Sequence, residues 1–172
     1  LLARCEAKIL CCTPTYALRL AEVARAESID LRDSGVARIL VAGEPGGSIP
    51  EIRERIEQGW PGARVVDHHG MTEVGPVSYA VPEQPALLRL MHQSYFCEVL
   101  RPGGYEPVAP GENGELVLTT LGRAACPLLR YRTGDLVKPV VPPGEDPSAF
   151  ALEGGVLGRV DDMVIVRGVN LY

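Results

Sequence analysis

Apolar and polar positions along this chain follow two different rhythms, and the change falls near Pro76. Ile9-Leu10-Cys11-Cys12 is a short apolar run closed by Thr13-Pro14, a helix cap followed by proline at the first helical position. Ala17, Leu20, Ala21 and Ala24 then recur at helical spacing, which predicts one buried stripe on a helix ending near Ser28. Ile39-Leu40-Val41-Ala42 predicts a second strand, closed by the tight turn Gly43-Glu44-Pro45-Gly46-Gly47. Ser48-Ile49-Pro50-Glu51 reads as a capping box, with Ile49, Ile52 and Ile56 forming the buried face of a second helix. Val65-Val66 opens a third strand that runs into a His69-Gly70 loop. The order βαβαβ predicts parallel strands with ligand loops at their carboxyl ends.

Beyond Pro76, proline and glycine punctuate short β-rich runs: Phe96-Cys97-Glu98-Val99-Leu100, Gly114 to Thr119 and Leu128 to Val137. Runs of this spacing predict a small antiparallel sheet or barrel beside the α/β layer. Pro139 to Pro147 reads as an irregular surface loop, and Met163-Val164-Ile165-Val166 as one more strand. The expected fold class is therefore α/β: a parallel βαβαβ layer over residues 1–75, then a β-rich portion over 76–157.

At 172 residues and 46% hydrophobic content the chain has enough apolar surface for a real core. A net charge of -5 leaves no basic excess for gripping a phosphate backbone, which argues against a nucleic-acid partner. No apolar run reaches the roughly 20 residues that span a bilayer, so no membrane role is expected. The start, Leu1-Leu2-Ala3-Arg4-Cys5, is not built like a signal peptide and lacks an initiator methionine, which reads as a processed or truncated chain. Five cysteines without framework spacing (Cys5, Cys11, Cys12, Cys97 and Cys126) read as reduced, buried thiols in a cytoplasmic protein. A metal site drawn from His68, His69, His92, Cys97 or Cys126 stays open, although no CxxC or HxxxH spacing supports one.

Three segments carry candidate chemistry. In Gly70-Met71-Thr72-Glu73, a threonine hydroxyl can donate to a phosphate oxygen while the next carboxylate holds Mg2+ at that phosphate. In Arg132-Thr133-Gly134-Asp135, at an expected strand end, an ionised carboxylate can accept from both hydroxyls of a ribose. Gly158-Arg159-Val160-Asp161-Asp162 precedes the last β run. Each sets charged or hydroxyl side chains beside glycine, where backbone can come close to a ligand.

In this order, and with the Gly43-Glu44-Pro45 turn ahead of them, these segments resemble the nucleotide-binding core of adenylate-forming enzymes, most closely the phenylacetate–coenzyme A ligase branch. The resemblance implies ATP-dependent activation of a carboxylic acid to an acyl adenylate, with AMP released on transfer to coenzyme A. It implies that Gly43, Glu44 and Pro45 lie along the adenine and the acyl pocket, and that His69, Gly70 and Met71 border the nucleotide. Thr72 would contact phosphate, Glu73 the Mg2+ ion, Asp135 and Arg159 the ribose, and Asp161 would be the hinge to a mobile C-terminal domain beginning within 158–172. The family usually carries tyrosine where this chain has His69, although imidazole can still stack on adenine. Its Ser/Thr/Gly-rich triphosphate loop has no counterpart here, and neither Lys8 nor Lys138 stands where its catalytic lysine would. Three alternatives follow: a carrier protein instead of coenzyme A as the acceptor, the acyl adenylate itself as the product, or a truncated nucleotide-binding module without catalysis.

Overall fold

The computed structural model describes residues 2–161, 164–166 and 169–171. Strand β1 (Ile9–Cys12), helix α1 (Pro14–Ala26), β2 (Arg38–Val41), α2 (Pro50–Gly59) and β3 (Arg64–Met71) follow in the expected βαβαβ order. The Thr13 side chain caps α1 by accepting the Tyr16 N–H at 3.2 Å, with Pro14 in the first turn. Ala17, Ala21 and Ala24 are buried on the face this spacing predicts. Ala17 and Ala21 share a core with Ile39, Val41, Ile56, Val65 and Trp60, whose indole N–H donates to the Ala17 carbonyl at 2.9 Å.

Two local expectations change here. The α2 cap position is Ile49 and carries no side-chain bond. Ser48, the expected capping residue, instead gives its hydroxyl to Asp67 at 2.6 Å, a long-range partner that outcompetes the local one. Of the five cysteines only Cys97 is buried, while Cys5, Cys11 and Cys126 are exposed. Cys11 is exposed because it shares a strand face with exposed Ile9, opposite the face on which Leu10 and Cys12 pack against the helix-side core.

The β-rich portion supplies β4 (Gly75–Val81), β5 (Gln84–Leu90), β6 (Tyr95–Leu100), β7 (Gly114–Thr120), β8 (Tyr131–Val140) and β9 (Ala151–Arg159). β4, β5 and β9 are not predicted by the residue pattern. The expected loop from Pro139 also begins later, because β8 runs to Val140, with Pro139 and Val140 registered against Leu152 and Ala151 of β9. Among the described residues one open sheet of nine strands holds both portions, in the order β1-β2-β3-β4-β5-β9-β8-β7-β6. A second core of Val77, Leu88, Leu90, Tyr95, Leu116, Leu118, Val137 and Leu152 lies against its antiparallel part.

β3 joins the two portions. Arg64 to Asp67 pair in parallel with β2, whereas His68 to Met71 pair antiparallel with β4, with a register shift between His69 and Gly70. The expected His69-Gly70 loop is thus strand, because β4 returns beside it. Outside that sheet, β10 (Val164–Val166) and β11 (Val169–Leu171) pair with each other. β10 falls inside the fourth expected run. Met163, Asp162, Arg167 and Gly168 lie outside the described residues. No described helix is long and apolar enough to cross a membrane.

Candidate functional site

The carboxyl end of β3 delivers the first group. Thr72 and Glu73 occupy the exposed turn between β3 and β4. A side chain at Gly70 would meet the Gly75 carbonyl oxygen at 2.7 Å, so only glycine lets the two strands close this tightly. Two residues from the far side of the sheet reach the turn. Arg123 donates to the Glu73 carbonyl at 2.8 Å, and Tyr131 lies beside the Glu73 carboxylate. Burial raises the Tyr131 phenol, and the neighbouring negative charge adds to that shift.

The second group, Arg132 to Asp135, comes from the first half of β8, one residue after the strand begins. While β7 advances from Glu115 to Val117, β8 runs from Leu136 back to Arg132, so Thr133, Gly134 and Asp135 bulge away from β7, with Asp135 still registered against Arg159 of β9. Gly134 takes φ +75° at the crest, and any side chain there would run into the Arg159 guanidinium at 2.5 Å. The bulge aims Asp135, 8% exposed, at two partners. His69 Nε2 lies 3.0 Å from Asp135 Oδ2, and Arg159 Nη1 donates to Oδ1 at 3.1 Å. With Nε2 facing a carboxylate, the ring proton belongs on that nitrogen. Nδ1 of His69 is buried and has no partner among the described residues. Arg159, the last residue of β9, also donates to the Thr133 carbonyl at 2.8 Å and to Asp161 at 3.1 Å.

The third group is the loop after β2. Glu44 accepts the Thr15 N–H at 2.5 Å, which ties the loop to the start of α1 and holds the Glu44 carboxyl below its usual range. Under this loop sits Asp67, 8% exposed and bonded to Ser48.

These groups face a common cleft of about 530 Å³. Gly43, Glu44, Pro45, His69, Gly70, Met71, Glu73, Asp135 and Arg159 all line it. Thr72 sits on the exposed turn outside that lining, and Asp161 stands one step further out, bonded to Arg159. Leu88, Tyr131, Gly154 and Val156 line it too, and no role was foreseen for them. Three of the four lie on β5 and β9, strands the sequence pattern did not reveal. Asp67 had a usable signal, since it shares a strand face with buried Val65. Among the described residues no three of His, Cys, Asp and Glu gather as a metal cage. His92 is bonded to the Phe150 carbonyl at 3.1 Å, and burial pushes the Cys97 thiol up to about 12.

Asp67 gives a pH signature. Burial raises its carboxyl above the ordinary value, and the Ser48 hydroxyl only partly offsets this. The folded chain therefore takes up this proton at a higher pH than the unfolded chain. Between the two titrations the folded state binds more protons, so this group's contribution to stability falls as pH rises through that window. Asp67→Asn should remove that slope. The check is urea unfolding of both proteins from pH 4 to pH 7: the variant's stability relative to wild type should grow with pH, and parallel curves would contradict it.

The chain matches no protein-family model. It is 34% identical to the phenylacetate–coenzyme A ligase of Thermus thermophilus, over 96% of this chain and 37% of that protein. The Pseudomonas putida phenylacetate–coenzyme A ligase is also 34% identical, over 95% of this chain and 36% of its own length. This chain thus spans little more than a third of these relatives. Among solved structures, 2-hydroxyisobutyryl-CoA ligase with 2-HIB-AMP and CoA, in an open conformation, superposes with a TM-score of 0.84. That pair shares 32% identity over 99% of this chain and 40% of the other. The anthranilate CoA ligase AuaEII in complex with anthranoyl-AMP has the same fold at a TM-score of 0.71 and 18% identity, over 99% of this chain and 33% of that one.

Proposed function

We propose, for a chain that belongs with the phenylacetate–coenzyme A ligases of the adenylate-forming superfamily, that its protein activates a carboxylic acid with ATP and passes the acyl group to coenzyme A. In the first step a carboxylate oxygen attacks the α-phosphorus and pyrophosphate leaves. In the second the coenzyme A thiolate attacks the acyl carbon and AMP leaves. The observation that carries this reading is the convergence of Asp135, Arg159, His69 and Glu73 on one cleft.

Each oxygen of Asp135 already accepts one protein donor. A carboxylate has about four lone-pair sites, so each oxygen keeps one for a ribose hydroxyl. Arg159 holds that carboxylate in place and brings positive charge to the ribose side. Thr72 and Glu73, both exposed on their turn, are free to meet phosphate oxygens and a cation. A single carboxylate at such a rim suits Mg2+, which keeps its waters and takes phosphate oxygens as further ligands. Bound there, the ion would neutralise charge on the phosphates. The groups in the cleft bind and orient, so catalysis rests on positioning and electrostatic stabilisation, with no protein nucleophile.

We read Asp161 as the hinge. The large sheet ends at Arg159, and the strands after it pair with each other. A cytoplasmic setting is supported by five free thiols and by the need for ATP and coenzyme A.

The test is acid-dependent exchange of labelled pyrophosphate into ATP, run over a panel of aryl and fatty acids. The protein is this chain completed with the remaining portions of the Thermus thermophilus relative. Exchange with some acid, and AMP release that requires coenzyme A, are expected. Release only with a carrier protein would change the acceptor, and no exchange with any acid would leave a nucleotide-binding module.

A further inference from the structure

Behind the β8 bulge lies an ion pair that the proposed reaction does not touch. A residue that leaves a strand ladder strands its backbone N–H, and a buried donor needs a partner. Gly134 solves this with the side chain of Glu115 on the neighbouring strand, whose Oε1 accepts the Gly134 N–H at 3.3 Å. Glu115 is 5% exposed, and a buried carboxylate is costly unless paired. Arg132 pairs it, donating Nε at 2.9 Å and Nη2 at 2.5 Å to the other oxygen. Arg132 is itself fixed by the Gly104 carbonyl at 2.8 Å and lies 6.0 Å from the centre of the Tyr105 ring.

The Thr133 hydroxyl ties the rest of the bulge to the β7 backbone and to its own strand. Thr133 Oγ1 donates to the Leu116 carbonyl at 2.9 Å and accepts the Asp135 N–H at 3.0 Å. Glu115 is the β7 side chain that grips the bulge, opposite Arg159, which holds the Thr133 carbonyl and the Asp135 carboxylate from β9. Neither Glu115 nor Arg132 lines the cleft. Their effect on a ligand must therefore pass through Gly134 to the next residue, Asp135.

We propose that Glu115 is a positioning residue for nucleotide binding: held by Arg132, its carboxylate fixes the Gly134 N–H and so sets where Asp135 presents its oxygens. This rests on the nucleotide reading of the cleft. Loss of one charge-assisted hydrogen bond is worth roughly 10–150-fold in affinity, so a loosened bulge should register clearly.

The experiment uses the 172-residue chain, AMP as the probe and three substitutions. Glu115→Ala removes the acceptor. Glu115→Asp keeps the charge but shortens its reach, and serves if the alanine variant does not fold. Val117→Ala, at a fully buried neighbour in β7, weakens packing without touching the bulge contacts. Both Glu115 variants should bind AMP about tenfold or more weakly by calorimetry, and the Gly134 amide should exchange its hydrogen about tenfold faster or more in the folded protein. Val117→Ala should lower the melting temperature and leave AMP affinity within about twofold of wild type. Unchanged AMP affinity in folded Glu115→Asp, or an equal loss in Val117→Ala, would overturn the positioning role. If the wild-type chain binds no AMP, the nucleotide reading fails for this chain. Gly134 exchange then decides alone: continued protection in the Glu115 variants rejects the grip, and lost protection upholds it.

Discussion

The 172-residue chain alone is expected to form acyl adenylate more than a hundredfold more slowly than the same chain completed with the remaining portions of the Thermus thermophilus relative. The cleft gathers a ribose-side carboxylate, an arginine and a metal-side glutamate, but no lysine lines it. Lys8 and Lys138 are the only lysines in the sequence, and Lys138 is paired with Glu153. The resemblance calls for a lysine and a phosphate-binding loop around the reacting phosphorus. Removing one placed donor of this kind typically costs about 10²–10³ in rate, and here two such elements are absent. Weak AMP binding should survive, because Thr72, Glu73 and Asp135 are present. The measurement is single-turnover adenylate formation by the two proteins side by side. Turnover by the short chain at even a tenth of the completed one would mean that the reacting phosphate is served from within these residues.

Asp135→Ala should weaken AMP binding by roughly 10–150-fold, the equivalent of losing a charge-assisted contact worth about 1.5–3 kcal/mol. It also leaves the part-buried His69 Nε2 and one Arg159 N–H without their acceptor, so some stability should go as well. Asp135→Asn separates the two effects. It keeps the volume and one acceptor oxygen, but its amide must point N–H at either His69 or Arg159, donor against donor. Both variants should therefore lose affinity, with asparagine the milder in thermal unfolding. Calorimetry with AMP on folded protein checks this, and wild-type affinity in either variant would take Asp135 out of the nucleotide site.

Much of this arrangement was legible in the residues, for identifiable reasons. The Thr13-Pro14 cap and the Ala17-Ala21-Ala24 stripe are local signals that no distant contact overrides. Gly70-Met71-Thr72-Glu73 and Arg132-Thr133-Gly134-Asp135 stood out because glycine beside charged or hydroxyl groups is uncommon in plain strands. What failed depended on pairing at a distance. β5 carries a proline, β4 opens on Gly-Pro, and β9 holds three glycines, so each reads locally as loop. Their neighbours in the sheet make them strands. Ser48 read as a cap because its partner Asp67 cannot be seen in a short window. The bulge was hidden too, since only the β7 register reveals that residues 133–135 part from that strand.

The place of β9 in the sheet bears on how this molecule comes to exist at all. It is the last strand of the large sheet to be made, yet it lies between β5 and β8. Until residues 151–159 emerge, β1 to β5 and β6 to β8 are two separate half-sheets, each ending in an unpaired rim of backbone N–H and C=O groups. The nascent chain must keep both rims from pairing with other copies while it waits for its keystone. The same strand ends in Arg159, so its insertion also brings the guanidinium to Asp135. Zipping the halves together and arming the cleft are thus one event in folding, and a chain stalled before it would be sticky as well as inert.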